Sequence, residues 1–264
     1  MADHLPLHVI RCPPDEVFRI AEVHTDGRVV SASMPLGDWS VEADGVLAPG
    51  FLGVLIDSVL GYASMTTTPG RWSVTTAMTL DVYPALQRAG DCLHAEAQVA
   101  QADGFSGFAI GRVRSAGGEL VAWCSQRVRF LGGIPPYEST RPGSPATDQL
   151  RPVSLMTDGL VPGDPSVRLE VRPELQNPLK NLHGGISMYA CDRAVARALD
   201  LAGAPLVTTS LQVSYLRPVA AREQIEFRPT LVHRGRTLAV VDVTGIIAGA
   251  RPAVVARASA QPLA

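Results

Sequence analysis

The sequence predicts an α+β fold built from two tandem copies of one unit. Each unit is a long helix wrapped by an antiparallel β-sheet, and the two pack as an intramolecular pseudo-dimer. Three observations carry this reading. The halves of the chain repeat the same motifs in the same order. Each half holds one helical segment that is apolar or nearly so. Each helix is followed by a long run of alternating, β-branched strands.

The repeat is plainest around the helices. "LAPGFLGVLIDSVLGYA" (Leu47 to Ala63) lies over "LHGGISMYACDRAVARA" (Leu182 to Ala198). With Asp57 on Asp192, Gly50 falls on Gly185, Pro49 on Gly184 and Ala48 on His183. Next come "SVTTAMTLDVYPAL" (Ser73 to Leu86) and "LVTTSLQVSYLRPV" (Leu206 to Val219), each with a β-rich tail behind it. Between the copies, "GGIPPYESTRPGSPATDQLRPVSLMTDGLVPGDP" is rich in Pro, Gly and Ser and has no periodicity, so it reads as a linker. The expected boundaries are 1–131 for the first unit, 132–165 for the linker and 166–264 for the second unit.

In order along each unit, a short strand comes first, around Arg28–Met34 and around Val167–Arg172. One helix follows, about Phe51–Thr66 and about Ile186–Leu201. The first carries Phe51, Leu52, Val54, Leu55, Ile56, Val59, Leu60 and Tyr62 nearly all round, the pattern of a buried helix. Three or four strands complete the unit. "LQVSYL" and "IEFRPTLV" alternate, and Gly104 and Gly235 mark hairpin turns. One apolar helix against one antiparallel sheet is the α+β solution to burying both apolar faces.

Composition bounds the function. The chain has 264 residues, a formal charge of −2, 46% hydrophobic and 18% charged residues. That is ordinary globular usage. With no basic run, nothing points to nucleic acid. No apolar run approaches the ~20 residues of a membrane span, and the first residues lack a signal pattern. Cys12, Cys92, Cys124 and Cys191 are scattered without CxxC spacing. They read as reduced thiols of a cytoplasmic protein, neither metal ligands nor a disulfide frame.

The chemistry centres on His183-Gly184-Gly185 and on the aspartates. A helix start offers unpaired N–H groups and partial positive charge, and glycine lets a ligand come close. That suits a polarised carbonyl oxygen. Each Asp follows its own glycine turn by seven residues, which is ~10 Å along a helix. A carboxylate cannot span that gap, so each Asp can serve only the turn of the other unit. A buried Asp bonded to backbone is the structural alternative. Two of them at matching places in a repeat favour a functional role.

These residues resemble the hotdog-fold acyl-CoA thioesterases of the phenylacetate-pathway type. In that family an Asn precedes the His by six residues, the Asp follows it by nine, and a Ser or Thr lies about eighteen beyond the Asp. Asn177, His183-Gly184-Gly185, Asp192 and Ser210 fall in those places. "YLRP" and "GRTLA" resemble the strand and turn that follow, whereas the first unit matches more weakly through Gly50, Asp57 and its "VTT" strand. The resemblance implies two tandem hotdog units that hydrolyse an acyl-CoA thioester without cofactor or metal. It implies an Asp base or nucleophile, the Gly184 N–H on the thioester oxygen, and Asn177 and His183 positioning the acyl group or water. The Asp, with its own Ser or Thr, comes from the opposite unit.

The two composite sites are not expected to be equal. Site one joins Asn177, His183 and Gly184 to Asp57, with Thr75 or Thr76. Site two joins Asp192 and Ser210 to the first unit's loop, where Pro49 has no N–H to donate and Ala48 replaces the His. Site one is therefore the expected working site. Gly185 and Arg217 are the candidate CoA contacts, Arg217 through a phosphate. Arg234, Arg236 and Cys191 read as surface or core residues. Two rival functions stand beside hydrolysis. One is a non-catalytic acyl-CoA-binding sensor. The other is a hotdog hydratase, against which "QNPLKNLH" places Lys180 and Leu175 where His and Asp are required. Assembly into homo-oligomers through sheet packing is left open.

Overall fold

The computed structural model describes residues 10–42, 45–133, 151–157, 160–249 and 251–262. The chain opens with a short helix α1 (Pro13–Val17), then β1 (Ala21–Thr25) and β2 (Val29–Pro35). A 3-10 turn at Pro49–Leu52 runs into helix α2 (Gly53–Met65). Strands β3 (Ser73–Val82), β4 (Cys92–Ala102), β5 (Ser106–Ser115) and β6 (Leu120–Phe130) follow. After a short helix α3 (Pro152–Thr157) come β7 (Val167–Glu170), helix α4 (Gly184–Leu201) and strands β8 (Val207–Tyr215), β9 (Gln224–Arg234), β10 (Ala239–Ile247) and β11 (Arg251–Gln261).

Among the described residues, eleven strands form one antiparallel sheet in the order β1-β2-β4-β5-β6-β3-β8-β11-β10-β9-β7. With β1 set aside, the order reads the same from either end. Inward from each edge come the short first strand, then the three long hairpin strands, then the strand that follows the helix. The halves meet where β3 pairs with β8, from Ala77 opposite Ser214 to Asp81 opposite Ser210. Alternation along β5 and β10 buries every second residue and leaves the rest at the outer face. That outer face carries ion pairs such as Arg257 with Asp242.

Helix α2 packs against β2 to β6, and α4 against β7 to β11. The helices also touch each other. This explains an α2 that is apolar nearly all round: its own sheet covers one side and α4 the other. Leu52, Leu55, Ile56, Val59 and Leu60 are fully buried. Each such side chain stabilises the fold by about 1.5–3 kcal/mol relative to exposure. The first turns of α2 and α4 meet backbone to backbone. A methyl group added at Gly53 would lie 2.5 Å from the Gly185 carbonyl oxygen, and one at Gly185 2.4 Å from that of Gly53.

Some elements differ from the sequence reading. The first unit's helix begins at Gly53, because Pro49 and Gly50 open it as a 3-10 turn. Helix α1 and strand β1 were not expected, since five-residue elements carry too little periodicity to stand out. The segment read as a linker holds α3, whose Leu155 and Met156 are buried and which packs on β7. Its residues 134–150 lie outside the described residues.

Candidate active site

The first-turn contact brings each glycine turn to the other unit's aspartate. The Gly185 N–H donates to Asp57 Oδ2 at 3.0 Å, and the Gly50 N–H donates to Asp192 Oδ2 at 2.8 Å. The two sites are thus pseudo-symmetric in their first interaction. They differ in almost everything around it.

At site one, Asp57 Oδ1 accepts from the Thr75 hydroxyl at 2.9 Å and from the Gln126 amide. The same amide also donates to Thr75 Oγ1 at 2.9 Å. The carboxylate is therefore fixed on one side by a strand pair and on the other by the helix start. His183 is the N-cap of α4, and its Nδ1 accepts the Gly185 N–H at 3.1 Å. Nδ1 also stands 3.3 Å from Asp57 Oδ2. The Gly184 N–H is the first of its helix and has no intrahelical acceptor. Gly184 must be small: a methyl group on it would lie 2.7 Å from Asp57 Oδ2. Its carbonyl accepts the Tyr215 hydroxyl at 2.8 Å, and burial pushes that phenol far above its ordinary range, so it remains a donor. Asn177 shapes the loop ahead of the helix. Its side-chain oxygen accepts the N–H groups of Leu179 and Asn181, across a turn where Lys180 takes φ 58°.

A cavity of about 780 Å³ opens beside these groups. That volume suits a drug-sized or larger ligand. Asp57, Thr75, Asn177, His183 and Gly184 all line it. Arg217 also lines it, exposed at the rim, with its guanidinium on the Pro252 carbonyl.

At site two, Asp192 is only 2% exposed. No hydrogen bond of ordinary geometry reaches its Oδ1 among the described residues. The strand register gives the reason. Gln126 sits opposite Met78 on β3, and the matching place opposite Leu211 on β8 holds Ala258, which has no amide to offer. Arg193 follows Asp192 where Ser58 follows Asp57. It pairs with Glu42 at 3.1 Å, and Glu42 also accepts the Tyr189 hydroxyl. Ala48 gives this turn no side-chain cap, and Pro49 gives it no N–H.

Three of the sequence assignments change. Thr76 turns away from Asp57 and donates to the Arg127 carbonyl at 3.0 Å, while Thr75 holds the carboxylate. A β-bulge between Thr75 and Ala77 causes this, because the extra residue faces outward. Ser210 likewise is not the partner of Asp192. The same bulge recurs in β8, Thr209 bonds the Ser259 carbonyl, and Thr208 is the hydroxyl near Asp192. The loop from α4 to β8 is shorter than that from α2 to β3, so a fixed spacing from Asp overshoots. Gly185, expected at CoA, is buried between the helices and outside the lining of the cavity, and its N–H supports Asp57. Gln126, 1% exposed on β6, was not picked out from the sequence. The only sequence signal for it is a polar residue at an inward-facing strand position.

Each half of the chain matches a known family. Residues 26–130 match the acyl-CoA thioesterase C-terminal domain, and residues 179–252 match the thioesterase superfamily. The chain belongs to the thioesterase superfamily. Comparison with curated proteins gives no match. Solved structures give the same fold over most of the thioesterase chain. The tesB protein of Mycobacterium avium subsp. paratuberculosis superposes with TM-score 0.65 and 11% identity, covering 94% of this chain and 98% of that one. The 12:0-ACP thioesterase of Umbellularia californica gives 0.61 and 13%, covering 89% and 94%. Acyl-CoA thioesterase II TesB2 of Mycobacterium marinum gives 0.60 and 12%, covering 94% and 97%. Among the described residues no helix is long and apolar enough to cross a membrane, and no cluster of His, Cys, Asp and Glu could hold a metal.

Burial raises the Asp192 pKa, against smaller opposing effects of the Thr208 hydroxyl, the Gly50 N–H and Arg193. The sign for stability follows. Above about pH 4 the unfolded chain gives up this proton while the folded chain still holds it. Stability from this group therefore falls as pH rises from there through the raised folded value. Asp192→Asn removes that loss. Urea midpoints should place the variant more favourably against the parent at pH 8 than at pH 4.5. A disadvantage that grows with pH would show instead that Asp192 is held ionised.

Proposed function

We propose that this thioesterase is a tandem double hotdog that hydrolyses an acyl-CoA thioester at one working site. Residues 1–131 and 166–264 are the two units, joined by 132–165. One observation supports the reading above all. Asp57, held by Thr75 and Gln126, meets the His183-Gly184-Gly185 turn of the other unit, and Asp57, His183 and Gly184 line one cavity together.

The chemistry follows from that placement. The thioester oxygen takes the Gly184 N–H, where the helix start favours negative charge. Asp57 accepts a proton from water as that water attacks the carbonyl carbon, or it attacks the carbon itself to give an acyl-aspartyl anhydride that water then hydrolyses, freeing the acid and restoring the carboxylate. The C–S bond breaks and the thiolate leaves, to be protonated in water. Thr75 and Gln126 keep the carboxylate aimed, and Asn177 and His183 shape the wall against the acyl group. Arg217 at the rim is placed to meet a CoA phosphate. Site two has Pro49 in the place of Gly184 and so lacks that N–H, lacks the His and the Gln, and takes no part in turnover.

A thiol-release assay over a panel of acyl-CoA thioesters tests this. Saturable release of free CoA is expected. Tight acyl-CoA binding without release would make the chain a binding protein instead.

A further inference from the structure

The cavity wall next to Asp57 carries a second buried polar group that hydrolysis does not use. Ser58 follows Asp57 on α2, and its hydroxyl donates to Asp15 Oδ1 at 2.8 Å. Asp15 Oδ2 accepts both the Cys12 N–H at 2.9 Å and the Cys12 thiol at 3.2 Å. Burial and the neighbouring carboxylates keep that thiol protonated, so it remains a donor. Cys12, Asp15 and Ser58 all line the cavity, although Asp15 is only 4% exposed. Around them the wall is largely apolar: Ile10, Tyr62, Met65 and Phe130.

A buried carboxylate is costly unless its oxygens are occupied. Here each hydrogen of the cluster is already given to Asp15, while acceptor capacity remains. Asp15 Oδ1 holds one bond where a carboxylate oxygen can hold two. The Ser58 oxygen keeps its lone pairs. The corner thus offers acceptors and no free donor. A hydrocarbon against it leaves that capacity unmet, and a carbonyl or carboxylate brings acceptors against acceptors. A hydroxyl completes it.

We infer that this thioesterase prefers acyl groups bearing a hydroxyl a few bonds from the thioester carbonyl, received by Ser58 and Asp15. The position follows because Asp57, Ser58 and Asp15 line the same cavity and the Asp57 charge also acts on the Cys12 thiol, which puts the acceptor corner on the Asp57 side and away from a distant chain end. The inference rests on the hydrolase reading above. In the repeat, Arg193 stands where Ser58 stands, so the second unit has no hydroxyl at that place. The selectivity is therefore a property of site one.

The test compares kcat/KM for straight-chain acyl-CoAs of one length in three forms: unsubstituted, hydroxylated at C3, C4 or C5, and the matching oxo compound. The best hydroxyacyl-CoA should exceed both others by at least ~10-fold, since sites that hydrogen-bond a substrate hydroxyl reject its analogues strongly. Ser58→Ala should shrink that ratio to within ~3-fold, a change that mere loss of folded protein cannot produce. Equal or faster hydrolysis of the unsubstituted or oxo form by the parent protein overturns the inference and leaves the hydrolase reading standing. Absence of thiol release from all three overturns both. The parent comparison decides the matter even where Ser58→Ala does not fold.

Discussion

Asp57→Asn should lower kcat/KM for acyl-CoA hydrolysis by ~10³-fold, while Asp192→Asn should leave it within ~3-fold. Both carboxylates accept one glycine N–H from the opposite unit at nearly the same distance, so that contact cannot separate them. What separates them is the remainder of each site. Asp57 Oδ1 is held by Thr75 and Gln126, and the carboxylate lines a cavity beside a glycine with an open N–H. Among the described residues no hydrogen bond of ordinary geometry reaches Asp192 Oδ1, because Ala258 stands where an amide would be needed, and its turn begins with a proline. Burial also holds Asp192 toward its neutral form, in which it is a poor base. Asn is nearly isosteric with Asp, so folding is preserved and the comparison reads chemistry. Thiol release measured on both variants decides the assignment. Activity that survives Asp57→Asn and dies with Asp192→Asn would move the working site to the other half of the chain.

Much of this was legible in the residues. The repeat, the helix positions and the demand that each Asp serve the other unit's turn all follow from spacing and helix rise. The match of Pro49 to Gly184 exposed the imbalance between the sites directly, because proline lacks the group the chemistry needs. The threonine partners were less legible. A bulge inserts one outward residue into β3 and another into β8, and nothing in "VTTA" or "VTTS" announces it. The alignment of the two "VTT" strands was the better guide, since it pairs Thr75 with Thr208 and bulge with bulge. Gln126 was out of reach for a different reason. Its role depends on β6 lying beside β3, a pairing set by tertiary register across the two strands between them in the chain. Asp15 and Ser58 were hidden in the same way, being far apart in sequence and joined only by the packing of α1 on α2.

Gly185→Ala should be the most destabilising single methyl group in the chain's catalytic half, costing about 3 kcal/mol or more. Its Cβ would lie 2.4 Å from the Gly53 oxygen, 2.5 Å from the Gly53 carbon and 2.5 Å from the Val54 Cα. All three are backbone atoms of a helix start, so none can swing aside as a side chain can. Relief requires the two helices to part, which would also withdraw the Gly185 N–H from Asp57. Gly184→Ala makes a useful contrast. Its Cβ meets the end of the Asp57 side chain, which can rotate, so stability should fall less while activity falls steeply. Gly104→Ala is the control, since nothing lies within 4 Å of the added atom and the change should stay within about 0.5 kcal/mol. Urea unfolding midpoints of the three variants read the order. A Gly185→Ala loss below about 1 kcal/mol would mean that the first turns do not meet as closely as described. In that event the composite site, which depends on that contact to bring Asp57 to the glycine turn, would lose its geometric basis.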